Sequence, residues 1–274
     1  MERIIETTSG IRLCIDEFGD PADPLALQLE GHMAQLIATP ASFCTQLADR
    51  GFYVVRVDHR DVGRSQRFVD RRYSLHDMAD DVHGLIEALA AGPALVCGRS
   101  MGGMIAQVLA VDHPRDVLGL ALFYTAAPSE RAAHPDPVQF PQLATEEDFV
   151  RWELETLPGI AGPAYPASAD DIVAVATQAW ARGVDVGGFE RQLRAMRRTP
   201  DWSAKLLGID VPVTIVHGDA DPVIPVSSAH TLNRVIRRSH LEIVEGMGHQ
   251  QPVELDDFFV DVVADLYARC AVRS

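Results

Sequence analysis

The sequence predicts an α/β fold: a mostly parallel, twisted sheet with helices on both faces and a helical insertion. Three observations lead there. Short β-branched or apolar runs alternate with segments of helical period, the pattern of parallel strands joined by crossover helices. The alternation stops near residue 126, turns Pro-rich and then helical to about 205, and resumes at 212. No internal repeat and no low-complexity linker divides the chain. One α/β domain interrupted by an insertion accounts for all three.

Each element has its own signal. Arg3–Thr7 and Ile11–Glu17 are short strands about Ser9-Gly10, a turn dipeptide. Leu25–Glu30 is an apolar run and a buried strand. Thr39–Arg50 places Phe43, Leu47 and Ala48 at helical spacing. Tyr53–Val57 is β-branched and reads as a strand. Ser74 is the N-cap of a helix reaching about Ala91. Ala94–Cys97 is a short strand, Met101–Val111 a helix closed by Pro114, and Val117–Phe123 a strand. After the insertion come a strand at Pro212–Val216, a helix at Ser227–Ile236, a strand at Leu241–Val244 and a helix at Asp256–Val272.

Composition narrows the function. The 274 residues are 47% hydrophobic and 23% charged, ordinary for a globular chain. A chain this long buries roughly three quarters of its unfolded surface, so it needs no disulfide or metal staples. Disorder, a collagen-like repeat and a Cys-rich scaffold are excluded. A net charge of −15 repels phosphate backbones and anionic membranes, and no Lys/Arg run offsets it. Neither nucleic acid nor membrane is an expected partner. Lys205 is the only lysine, which argues against internal Schiff-base chemistry with pyridoxal phosphate. Cys14, Cys44, Cys97 and Cys270 are scattered without a C-x-x-C, so no metal cluster is signalled. The N-terminus lacks a basic and then apolar signal region. The longest apolar run, Val117 to Tyr124, is too short to span a membrane. A cytoplasmic monomer or homodimer is expected.

The sharpest motif is Gly98-Arg99-Ser100-Met101-Gly102, a G-x-S-x-G between a strand and a helix. That context is what a nucleophile elbow requires: small flanking residues let strand and helix approach while the serine projects from a strained turn. A serine hydroxyl is a weak nucleophile, so a base must reach it and an acid must orient the base. In this topology the order along the chain is Ser, acid, His. Among ten histidines, His249 lies in the Gly-rich Glu245–His249 loop directly after a strand, at the same sheet edge as Ser100. His217 ends the preceding strand but runs into a turn. His113 and His230 read as structural or exposed. The acid comes from Gly218-Asp219-Ala220-Asp221-Pro222. Asp221 has the fitting spacing, and Asp219 reads as an Asx cap shaping the turn. The other place for an acid in this architecture, Phe123-Tyr124-Thr125, holds no carboxylate.

These stretches resemble the α/β-hydrolase family, and more narrowly the actinomycete methylesterases of anthracycline biosynthesis and related lipase-like hydrolases. The matching segments are Phe18–Pro24, Asp58-His59-Arg60-Asp61-Val62-Gly63-Arg64-Ser65, Ser100-Met101-Gly102, Gly218–Pro222 and Gly246-Met247-Gly248-His249. The Asp58–Ser65 stretch reads as structural, packing the loop after the fourth strand. The resemblance implies an α/β-hydrolase core over residues 1–125 and 206–274 with a helical lid over 126–205. It also implies an oxyanion hole built from backbone amides, here those of His32 and Met101.

One departure stands out. Glu30-Gly31-His32 occupies the place where relatives carry His-Gly or Gly-Gly. Gly31 keeps the turn, but Glu30 and His32 are unusual there. Either both side chains point away, or Glu30 or His32 lines the pocket and contacts the substrate or adds a second proton-transfer group. A carboxylate beside a developing oxyanion would be counterproductive, so Glu30 is expected turned away or hydrogen-bonded. Trp152, Trp180 and Trp202 all fall in or at the end of the insertion, with Phe140, Phe149, Tyr165 and Phe189. They form either the lid's own core or an apolar roof over a bulky substrate, with Trp152 and Trp180 the first candidates to touch it.

The expected function is hydrolysis of a carboxylic ester of a hydrophobic small molecule, such as a polyketide methyl ester, through an acyl-enzyme on Ser100. No cofactor and no metal is expected, since neither H-E-x-x-H nor a Walker A loop is present. A lyase, cyclase or acyl transferase using the same triad is the alternative, with a ligand-binding protein on the same fold a more distant one.

Overall fold

The computed structural model describes residues 2–69, 71–130 and 140–271. Eight strands form one sheet: β1 (Arg3–Glu6), β2 (Arg12–Phe18), β3 (Leu25–Leu29), β4 (Tyr53–Val57), β5 (Ala94–Arg99), β6 (Val117–Phe123), β7 (Val213–Gly218) and β8 (Ser239–Val244). Their order across the sheet is β1-β2-β4-β3-β5-β6-β7-β8. β1 and β2 run antiparallel to their neighbours, and every other pairing is parallel. The central strands β3, β4 and β5 are buried along their whole length, as strands covered on both faces must be.

The helices are α1 (Ala41–Asp49), α2 (Leu75–Leu89), α3 (Met101–Asp112), α4 (Glu146–Ile160), α5 (Ala169–Arg182), α6 (Val186–Arg198), α7 (Ser227–Val235) and α8 (Asp256–Ala271). α1 and α8 cover one face, where Phe43, Leu47, Phe259, Val263 and Leu266 pack on Val54, Leu95 and Phe123. α2, α3 and α7 cover the other through Val82, Ile105, Leu109 and Leu232. The sequence boundaries hold with local shifts. α1 begins two residues later than the spacing suggested because Pro40 is its N-cap. α2 ends at Leu89 because Ala90 turns left-handed, at φ 54°. Ser74 caps α2 in a reciprocal pair with Asp77, as its sequence position implied. Val272, the expected end of the last helix, lies outside the described residues.

Three helices, α4 to α6, stand between β6 and β7. α6 sends Leu193, Ala195 and Met196 into the same core as α2 and α3. The Asp58–Ser65 loop fastens α5 and α6 to the sheet. Asp58 accepts from Arg182 of α5 and from the Leu36 and Arg64 amides. Asp61 accepts twice from Arg191 of α6, at 2.8 and 2.9 Å. Arg60 pairs with Asp81 at 2.6 Å inside the core. A loop with this many buried charges is held only when each is paired.

Candidate active site

The carboxyl edge of the sheet collects the site. β5 runs directly into Ser100, whose backbone has φ 50° and ψ −116°. That left-handed value for a non-glycine residue costs of order 1–3 kcal/mol and persists because the surroundings fix it. The Ser100 amide donates to Phe123 O at 3.1 Å, and the Gly103 and Met104 amides donate to Ser100 O. Thr125 Oγ also donates to that carbonyl, at 2.6 Å. The elbow requires its glycines. A Cβ on Gly98 would lie 2.5 Å from Gly102 O, and one on Gly102 only 2.2 Å from Leu29 O.

Three side chains from distant segments meet at this edge. His249 Nε2 lies 2.9 Å from Ser100 Oγ. His249 Nδ1 lies 2.8 Å from Asp221 Oδ2. The carboxylate only accepts, so Nδ1 carries the proton and Nε2 offers its lone pair to the Ser100 hydroxyl. Asp221 has no exposed side-chain surface. Its Oδ1 accepts from the Val223 and Ile224 amides at 2.8 and 2.9 Å. Burial pushes this carboxyl up, but the hydrogen bonds from His217 and His249, the His249 charge and the Ile224 amide together pull it well below the usual carboxylate range.

The turn chemistry differs from expectation in one respect. The Asx turn assigned to Asp219 is made by Asp221, through the two amides that follow it. Asp219 instead crosses to the neighbouring loop and accepts from the Gly246 amide at 2.7 Å. That bond ties the acid loop to the histidine loop. The helical segment also grips this loop: the His249 amide donates to Ile160 O at 2.8 Å, and Gln250 donates to Tyr165 O at 2.6 Å.

The loop after β3 passes beside the elbow. A Cβ on Gly31 would stand 3.2 Å from Ser100 Cβ. His32 turns its ring from the serine toward α6, where Nε2 donates to Phe189 O at 2.7 Å. Its ring neighbours Phe140, which in turn contacts Phe189. Met101 is the first residue of α3, so its amide has no intrahelical acceptor. Glu30 is buried, accepts from Thr39 Oγ1 and faces Arg99 Nη1 at 4.0 Å. Trp152 and Trp180 flank Phe149 at ring separations of 6.0 and 6.2 Å, in a cluster with Leu36, Ile37 and Ala179. Trp202 is buried in the main core and donates from Nε1 to Gln107 at 3.3 Å.

Sequence reasoning gave no role at the site to three residues here. Arg99 is 2% exposed and bonds Gln251 and Gln28. Tyr124, with φ 37°, sets its ring edge-on to His249 at 5.1 Å, and burial pushes its hydroxyl up. His217 lies 3.3 Å from Asp221 Oδ2. The available signal was positional, since Tyr124 and His217 close the strands on either side of the site. His83, His113 and Asp116 form a separate group of close metal-ligating atoms. The two imidazoles there are stacked 10° from parallel, so no single ion can lie in both ring planes.

The strained serine at a strand-to-helix elbow, the doubly bonded histidine and the mostly parallel sheet define an α/β hydrolase. The comparisons narrow this. Residues 33–256 match the family described as serine aminopeptidase, S33, and the chain belongs to that α/β-hydrolase family. It is 27% identical over 280 residues to the rhodomycin D methylesterase of Streptomyces sp. strain C5, covering 92% of this chain and 93% of that one. It is 27% identical to the 2-hydroxymuconate semialdehyde hydrolase of Pseudomonas sp. strain CF600, over 78% of this chain and 76% of that one. Among solved structures, the esterase from Exiguobacterium antarcticum superposes with a TM-score of 0.78 at 22% identity, over 98% of this chain and all, 100%, of that one. The enol-lactonase from Burkholderia xenovorans LB400 also gives 0.78, at 21% identity, over 97% and 100%. Among the described residues no helix is long and apolar enough to cross a membrane.

Proposed function

We propose that this α/β hydrolase cleaves the carboxylic ester of a hydrophobic small molecule, with Ser100 as nucleophile, His249 as general base and acid, and Asp221 as the orienting carboxylate. One observation carries the reading: the His249 ring is bonded on one side to Ser100 Oγ at 2.9 Å and on the other to Asp221 Oδ2 at 2.8 Å. Ser100 Oγ attacks the ester carbonyl while His249 Nε2 takes its proton. The charged imidazole is stabilised by Asp221 and gives the proton to the leaving alkoxide. The tetrahedral oxyanion is received by the Met101 and His32 amides. Water, activated by His249 in the same way, then attacks the acyl-enzyme and frees Ser100.

The methylesterase relative, similar over 92% of the chain, supports a polyketide methyl ester as the substrate class. Residues 126–205 act as the lid over a core of residues 1–125 and 206–274. The phenyl rings of Phe140 and Phe189 beside His32 supply apolar surface next to the acyl site. Glu30, bound to Thr39 and facing Arg99, is engaged within the protein, which supports hydrolysis over a lyase, cyclase or acyl transferase reading.

The test is labelling with a fluorophosphonate followed by a screen of hydrophobic esters. Modification at Ser100 with turnover of methyl esters is expected. An unlabelled, folded chain would overturn the reading.

A further inference from the structure

We propose that His217 is a positioning residue for the Asp221–His249 pair, closing from the far side the line of hydrogen bonds that begins at Ser100. The inference rests on the functional reading of Ser100, His249 and Asp221 given above. His217 is the penultimate residue of β7 and its side chain has no exposed surface. Its Nε2 lies 2.9 Å from Ile224 O and 3.3 Å from Asp221 Oδ2. Both are oxygen acceptors, and a carbonyl cannot donate, so Nε2 carries the proton and shares it between them. Nδ1 is buried with no hydrogen-bond partner. A proton there would have no acceptor, so the surroundings select the Nε2–H tautomer.

This completes the carboxylate. Oδ1 takes the Val223 and Ile224 amides. Oδ2 takes His249 Nδ1 and His217 Nε2. Four donors on two oxygens leave the group no alternative orientation. Ile224 is bound twice, its amide to Asp221 and its carbonyl to His217, so the acid loop is pinned back onto β7. Other charged or titratable groups near the pair come from neighbouring elements. Tyr124 stands at the end of β6 with its ring on His249. Arg99 and Glu30 lie near enough to act on Tyr124. Asp219, on the acid loop itself, is turned to the Gly246 amide.

Removing the His217 N–H leaves Asp221 less satisfied and therefore more basic. It then holds the His249 proton more tightly, so the acid limb of the kcat/KM profile moves to higher pH. His217→Leu is expected to raise that limb by about half a pH unit. It should also cost about tenfold in kcat/KM at the plateau, the low end of what losing an outer hydrogen-bond partner costs at metal-bound histidines. His217→Gln, whose amide nitrogen can reach the Nε2 position, should restore both. A part that is only structural would lower Tm and leave the limb where it is.

The experiment is the pH profile of kcat/KM for wild type, His217→Leu and His217→Gln, with Tm recorded for each. An unmoved acid limb in a folded His217→Leu, or a folded His217→Gln that restores nothing, overturns the proposal. Nitrogen-15 histidine spectra of the wild-type chain test it even where the leucine variant fails to fold. His217 must show a protonated Nε2 and a bare Nδ1 across the acid limb, and the opposite tautomer overturns it. Fluorophosphonate labelling of the wild type separates the two readings. Failure to label Ser100 sinks the nucleophile, whereas normal labelling with an unmoved limb sinks only the role of His217.

Discussion

Arg99 and Gln251 are bound to each other across 152 residues of sequence, with Nε and Nη2 of the guanidinium donating to one amide oxygen at 3.0 and 2.6 Å. Arg99 immediately precedes Ser100, and Gln251 follows His249 by two positions. The bond therefore joins the strand that presents the serine to the loop that presents the histidine. The guanidinium also donates to Gln28 at 3.1 Å and lies near the faces of Phe43 and Phe123, at 5.4 and 5.2 Å. A cation this deep requires donors satisfied and a counter-charge at hand. Glu30, 4.0 Å away, is that counter-charge. The unusual acid after β3 and the buried arginine of the elbow thus explain each other.

Ser100→Ala should abolish ester hydrolysis and fluorophosphonate labelling while the chain stays folded. Loss of a nucleophile in this kind of triad reaches about six orders of magnitude. Steady-state assays on the purified variant check it. Retention of a tenth of wild-type activity would show that another group attacks.

Asp221→Asn should cost far more than Asp219→Asn. The first keeps shape but loses the charge opposite His249 and permits the wrong imidazole tautomer, worth about four orders of magnitude in related triads. The second weakens one bond to the Gly246 amide, worth about 1 kcal/mol of stability. Comparing kcat and Tm of the two variants decides. Equal losses of kcat would reverse the assignment.

Acid lability should trace to His59. Burial pushes this imidazole down to about 4, whereas in the unfolded chain it titrates near about 6.5. Below the latter value the unfolded chain takes up a proton that the folded chain refuses. Stability is therefore full above pH ~6.5 and is lost as pH falls toward about 4, by about 3 kcal/mol. Asp221, whose carboxyl is lowered in the fold, adds a further loss only below about pH 4. Urea unfolding from pH 7 to 4 measures the slope, and His59→Gln should flatten it. An unchanged slope in that variant would assign the lability elsewhere.

Gly102→Ala and Gly159→Ala should move stability in opposite directions. A Cβ on Gly102 meets the Leu29 and Glu30 carbonyls at 2.2 and 2.6 Å, whereas nothing lies within 4 Å of one on Gly159. The first forces backbone apart at the elbow and costs upward of ~3 kcal/mol. The second, inside α4, should gain about 0.5–1 kcal/mol from helix propensity. Two thermal melts are enough, and a destabilised Gly159→Ala would contradict the open space seen there.

Trp180→Ala should lower Tm and reduce turnover of short and bulky esters alike. Its ring packs on Phe149 in the cluster with Leu36 and Ile37, and a half-buried aromatic there contributes about 2 kcal/mol. A loss confined to bulky esters, with Tm unchanged, would place the ring over the substrate instead.

The sequence by itself carried the α/β class, the place of every strand and most helices, the elbow at Ser100, and the positions of Asp221 and His249. Those signals are local. Apolar period marks an element, Gly98 and Gly102 mark a close approach, and a Gly-rich loop after a strand marks the carboxyl edge. Tertiary structure alone decided the partners. Glu30 could not be placed without Arg99, since both are charged residues that burial allows only as neighbours. Trp152 and Trp180 were aromatic residues in a helical insertion until Phe149 showed what they pack against. Asp219 and Asp221 sit two positions apart with the same side chain, and only the Gly246 amide and the His249 ring, brought by the loop after β8, give them different partners. His217 looked like the end of a strand for the same reason. A hydrogen bond to a group that is distant along the chain leaves no periodicity, because the geometry that makes it is set by strand order and sheet twist rather than by neighbouring residues.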